Sequence, residues 1–160
     1  MSDERMTSTR GPPGGNSGSG PLALVADTDT DSCRRWLSQA DDALVVTLDQ
    51  RPREWLAAHD HAVHPAFVAA YPHPDCVRTV ADPGALDAIA VAVDEFLADV
   101  PADDTPAVCV ATLDTLCEYA GRRRTERWLA AVAGRVRAAG GTLHCHDCDA
   151  DLPHADVIFD

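Results

Sequence analysis

Thr105-Pro-Ala-Val-Cys-Val-Ala-Thr-Leu-Asp-Thr-Leu-Cys-Glu-Tyr119 is the stretch whose reading decides the fold. Ala107 to Ala111 is apolar, too short for a helix and bounded by Pro106, which predicts a buried central strand. Polar Thr112, Asp114 and Thr115 then lead into a helix. In an open α/β sheet, ligands bind outside the carboxyl ends of such strands, so the residues there set the functional expectation.

Working outward, strands are expected at Leu22–Ala26, Ala43–Leu48, Phe67–Tyr71, Thr142–Cys145 and Ala155–Phe159, with a short extended piece at Cys76–Val80. Between them the sequence predicts a helix from near Asp31 and a second from Pro52 carrying Trp55 and Leu56. A third starts at Asp82-Pro83, read as cap and first helical position, and buries Leu86, Ile89, Ala90, Val93 and Leu97. A helical region from about Asp114 to Ala139 follows, with a break expected near Gly121 and a stop at Gly140-Gly141. Its apolar stripe is Thr125, Trp128, Leu129, Val132 and Val136. This alternation predicts an α/β fold, a mostly parallel sheet with helices on both faces.

The first twenty residues are rich in Ser, Gly, Pro and Thr and read as a disordered tail; residues 21–160 read as a single domain. No apolar run reaches the length of a membrane span, and the chain start lacks a basic segment followed by an apolar one. The expectation is a soluble, cytoplasmic protein with no membrane role. Six Cys, at 33, 76, 109, 117, 145 and 148, are then expected as thiols.

The net charge is −13, and all 13 basic residues are Arg. A carboxylate surface without Lys is the composition expected of a protein that works in molar salt, where counterions screen the mutual repulsion; the alternative is an acidic protein of a mesophile. Such a surface repels nucleic-acid backbones, so no nucleic-acid partner is expected. The absence of Lys also excludes a phosphate loop of the G-x-x-x-x-G-K-[ST] type and a lysine Schiff base.

Three features carry candidate chemistry. His144-Cys-His-Asp-Cys-Asp149 contains an H-x-H and a C-x-x-C, donor types that suit zinc. On a strand His144 and His146 share one face and Cys145 takes the other, giving His144, His146 and Cys148 as the candidate ligands. The alternative is ordinary residues at a strand end, and no cofactor is expected by default. Arg122, Arg123, Arg124 and Arg127 form a dense positive patch, either a salt-bridged surface face or a contact for a nucleotide, an acidic partner or a sister subunit. His59, His61, His64 and His73 scatter through a Pro-rich stretch and read as solvated loop residues. No H-E-x-x-H or G-x-S-x-G pattern occurs.

Several pieces, in order, carry a family resemblance: Leu44-Val-Val-Thr-Leu-Asp-Gln-Arg-Pro-Arg-Glu-Trp-Leu56, Val77-Arg-Thr-Val-Ala-Asp-Pro83 with its helix to Phe96 and Leu97, the strand 107–111 with Thr112 and Leu113, Gly134-Arg-Val-Arg137, and His144-Cys-His146. Over roughly residues 21–160 they resemble a group of uncharacterised haloarchaeal proteins with a degenerate KaiC/RecA-like core. The resemblance implies a three-layer RecA/KaiC-like sandwich and a halophilic archaeal source. It also implies where the ATPase devices of active relatives would fall. The phosphate loop falls on Asp27 to Ser32, which has no Gly or Lys; the magnesium-holding Asp falls on Ala111, which offers no side-chain oxygen. The acidic pair that orients water falls on Asp49 and Gln50, and an amide is no general base. A vestigial nucleotide site would comprise Asp49, Thr112 and Asp114.

Three readings stay open at this stage. The first is a non-catalytic regulatory or protein-interaction domain, acting through a protein partner or self-association, with ATPase activity not expected. The second is a metal-binding sensor or enzyme using the His/Cys/Asp cluster from His144 to Asp156. The third is a nucleotide binder without turnover.

Overall fold

The computed structural model describes residues 22–24, 37–59, 64–111, 113–146 and 156–157. Among these, seven strands form one sheet in which every pairing is parallel. The strands are β1 (Leu22–Leu24), β2 (Asp42–Thr47), β3 (Ala66–Ala69), β4 (Cys76–Thr79), β5 (Pro106–Val110), β6 (Thr142–Cys145) and β7 (Asp156–Val157). The helices whose full bounds lie among the described residues are α1 (Pro52–Ala58), α2 (Leu86–Asp99), α3 (Leu113–Ala120) and α4 (Arg122–Ala138), and Leu37 and Ser38 are also helical. The order across the sheet is β4-β3-β2-β5-β6-β1-β7. The expected α/β architecture with helices on both faces is what forms, a three-layer sandwich.

Both faces are buried because strand side chains alternate and helices cover each side. On one face Leu44, Val46, Val108, Val110, Leu143 and Cys145 pack against α2, α3 and α4. On the other, Val45, Phe67, Ala107 and Cys109 pack with Leu37 and with Trp55 of α1. Trp55 and Phe67 meet edge to face at 5.6 Å, so a seven-residue helix is anchored by one large ring.

The polar punctuation places the helices. Gly121 takes φ 89°, a conformation L-residues resist, and so breaks α3 from α4 where the sequence predicts. Thr125 fastens the corner, its hydroxyl lying 2.9 Å from the Gly121 carbonyl and 3.2 Å from that of Leu116. Trp128 is core, and its Nε1–H donates to the Leu86 carbonyl at 2.9 Å, tying α4 to the first turn of α2.

Local expectations need correction in places. Asp82 does not cap α2: its carboxylate accepts from the Gly84 N–H at 2.8 Å, closing a turn, and the helix begins at Leu86. That turn satisfies Asp82 locally, an outcome open to any Asx residue. The α2 stripe buries Leu86, Ile89 and Val93 as expected, together with Ala92 and Phe96, while Ala90 and Leu97 pack half-buried against the same core. The helical region expected from about Asp114 begins one residue earlier, with Asp114 in the first turn of α3. The third strand stops at Ala69, leaving Tyr71 exposed under the Arg51 guanidinium, 4.8 Å from the ring centre. The expected helix start near Asp31 and the tail 1–20 lie outside the described residues.

Candidate functional site: the carboxyl edge of the sheet

From β2 the chain moves through α1 to β3 on one side, whereas from β5 it moves through α3 and α4 to β6 on the other. The strand order therefore reverses between adjacent, parallel β2 and β5, and a crevice at their carboxyl ends is the expected ligand position. Asp49 follows β2 there, and Thr115 of α3 follows β5. The Thr115 hydroxyl donates to Asp49 Oδ2 at 3.5 Å, the long end of the hydrogen-bond range, so the two lips touch. Partial burial raises the Asp49 pKa above its ordinary value, opposed by a backbone hydrogen bond and by Thr115. Ala111 follows β5, its N–H donating to the Val46 carbonyl at 2.9 Å, Asp114 is exposed, and Thr112 lies outside the described residues.

The second constellation lies just beneath the same edge, on the α1 side. Cys109 of β5 stands in register with His144 of β6, so parallel neighbours separated by one strand spacing present thiol and imidazole to the same face. His146 is two residues on, again on that face. The ladder continues past β6 to hold it: the His146 N–H donates to the Val110 carbonyl at 2.9 Å, and the His146 carbonyl accepts from Leu113 at 3.4 Å. The two imidazoles meet edge to face with centres 5.0 Å apart. One potential ligand atom from each of Cys109, His144 and His146 lies within 4.8 Å of the others, and all three residues are buried.

The predicted H-x-H pair is thus brought together, and Cys145 points into the opposite core as alternation requires. The thiol beside the histidines is Cys109; Cys148 lies outside the described residues. The sequence places Cys109 in the central strand, and no spacing within it ties that thiol to His144. Consecutive strands often pair, which is the signal that brings β5 beside β6, but register decides which residues face each other.

The remaining candidates are dispersed. Arg122, Arg123, Arg124 and Arg127 are exposed on the start of α4, and Arg122 pairs with Glu126 at 3.2 Å. His64 is exposed and 2.6 Å from Asp75, matching the solvated expectation. His59 departs from it: the ring stacks on Trp55 at 4.0 Å and its Nδ1 is 2.8 Å from the Trp55 carbonyl. His61 lies outside the described residues. Among the described residues Cys76, Cys109, Cys117 and Cys145 are in no disulfide.

The chain belongs to the family of unknown function DUF7504, whose model matches residues 20–157. No curated protein and no solved structure matches it.

Proposed function

We propose that this member of the DUF7504 family is a non-catalytic regulatory or protein-interaction domain on a RecA/KaiC-like scaffold without the means to hydrolyse ATP. The observation that carries the reading is the start of α4. Three Arg occupy its first turn, no acid accompanies them there, and its cap, Gly121, makes no side-chain hydrogen bond. Cations at a helix N-terminus oppose the macrodipole, so this charge is placed where it costs stability. Local rules are broken in this way at sites selected for binding. Because α4 ends where β6 begins, at the amino edge, its start lies toward the carboxyl edge, the side of the Asp49 crevice. An acidic segment of a partner or of a second copy is the complementary surface.

Loss of ATP hydrolysis is supported by the crevice chemistry. A phosphoryl-transfer site needs positioned positive charge and a metal-holding carboxylate. Here Asp49 at the end of β2 is followed by the amide Gln50, Ala111 at the end of β5 has no side-chain oxygen, and the chain contains no Lys. The test pairs two measurements on the full chain in concentrated KCl. ATP incubation should release no phosphate, and reversing Arg123 and Arg124 to Glu should reduce association in sedimentation while leaving the far-ultraviolet spectrum intact. ATP turnover lost in Asp49→Asn would refute the reading, as would association indifferent to the Arg reversal.

A further inference from the structure

We propose that Cys109, His144 and His146 form a binding site for one thiophilic transition-metal ion, zinc(II) or copper(I). The inference goes beyond the interaction reading and stands independently of it. Three observations carry it. Thiol and imidazoles are the donor types such ions select over calcium or magnesium. Three separate chain positions, on β5, on β6 and just past β6, converge on one point, with potential ligand atoms within 4.8 Å of one another. The site is closed from water: Cys109 and His144 are 0 % exposed and His146 5 %.

The geometry is near that of a bound ion. With zinc–nitrogen and zinc–sulfur bonds of ordinary length, tetrahedral ligand atoms lie about 3.4–3.6 Å apart. A contraction of about 1 Å suffices, within reach of small side-chain torsions. The framework holding the ligands is stiff, since β5 and β6 are paired through the core and His146 is fastened to Val110 and Leu113. Binding deprotonates the Cys109 thiol: the sulfur lone pair goes to the metal and the proton to buffer, with no change in oxidation state. Zinc leaves the three-ligand centre with a net charge of +1; copper(I) leaves it neutral, which suits an apolar surround better. Either ion would join β5 to β6 beneath the carboxyl edge, so occupancy would stiffen the edge that carries the Asp49 crevice.

The experiment uses the full chain without a polyhistidine tag. Cobalt(II) is added to metal-free protein under reducing conditions and the absorption spectrum is recorded. Zinc(II) and copper(I) are then each titrated as competitors, and metal content is measured after gel filtration. The expected result is one ion per chain, with a thiolate-to-cobalt charge-transfer band and the d–d bands of a low-symmetry centre. The band should vanish in Cys109→Ser, shift or weaken at least tenfold in His144→Asn, and persist in Cys145→Ser. The better competitor identifies the ion. Thermal melting of the wild-type chain supplies a readout independent of any variant's folding. Zinc or copper(I) should raise its midpoint, because a ligand selective for the native state stabilises that state. A cobalt complex without a thiolate band, a band retained in Cys109→Ser, or a wild-type midpoint unmoved by both ions would overturn the proposal.

Discussion

Two adjacent glycines between α4 and β6 do different jobs, and replacing each by Ala should separate those jobs in one measurement. Gly140 has φ 80°, and a Cβ there would meet nothing within 4 Å. Its replacement therefore carries only the left-handed backbone cost, about 1–2 kcal/mol. The reduced freedom of the unfolded chain returns about 0.4–1 kcal/mol, leaving a net loss of about 1 kcal/mol. Gly141 has room for no Cβ at all. An added methyl would fall inside the envelope of the Pro106 carbonyl oxygen and 2.8 Å from Pro106 Cγ. The obstacle is the backbone of β5, the strand with Cys109, and it cannot swing aside as a side chain would. Overpacking of this kind costs about 1–3 kcal/mol, and a backbone obstacle places Gly141→Ala at the upper end. At roughly 2–4 °C per kcal/mol for a chain of this size, Gly140→Ala should melt about 2–4 °C below wild type and Gly141→Ala about 6–12 °C below. Equal shifts, or a larger one at Gly140, would refute the claim that close approach to Pro106 fixes the β5–β6 junction.

Asp49→Asn should leave stability at neutral pH unchanged or raised. Burial holds the folded-state pKa above its unfolded value, so this carboxyl's contribution is full below the unfolded pKa and lost as pH rises through the folded one; a melt series across the acid range checks the sign. Asp104→Asn should raise the melting midpoint in dilute buffer and much less in molar KCl. The Asp104 pKa is raised by hydrogen bonding to Asp42, then by slight desolvation and by the charges of Asp42, Asp41 and Asp103; a midpoint insensitive to salt would contradict this. Arg123→Glu should stabilise the domain by about 0.3–1 kcal/mol by reversing the charge at the start of α4, measured by urea denaturation at low ionic strength. Trp128→Phe should cost about 1–3 kcal/mol, because it removes the buried bond to the Leu86 carbonyl and leaves unfilled volume; a loss below 0.5 kcal/mol by the same assay would show that this tie is dispensable.

The strands were legible because buried parallel strands are short apolar runs between turn residues, as at Ala43–Leu48 and 107–111. The α3–α4 break was legible because Gly121 is the residue that a positive φ selects. The start of α2 was not, because Asp82 can serve equally as a helix cap or as the acceptor of a turn, and the choice depends on where Gly84 is held. At the site, alternation alone put His144 and His146 on one face and Cys145 on the other. The partnership with Cys109 was hidden because register between two strands joined through two helices is fixed by packing of the whole sheet.

The placement of β1 has a consequence for how the molecule is made. This strand comes before the rest of the described sheet in sequence, yet its two neighbours are β6 and β7, the last two. During synthesis its described partners become available only once β6 has left the ribosome. Pairings between such distant segments are slow to nucleate and leave an apolar ribbon uncovered meanwhile. Vectorial folding should therefore begin with β2, β3 and β5, and the closing of the β6–β1–β7 side should be its final event.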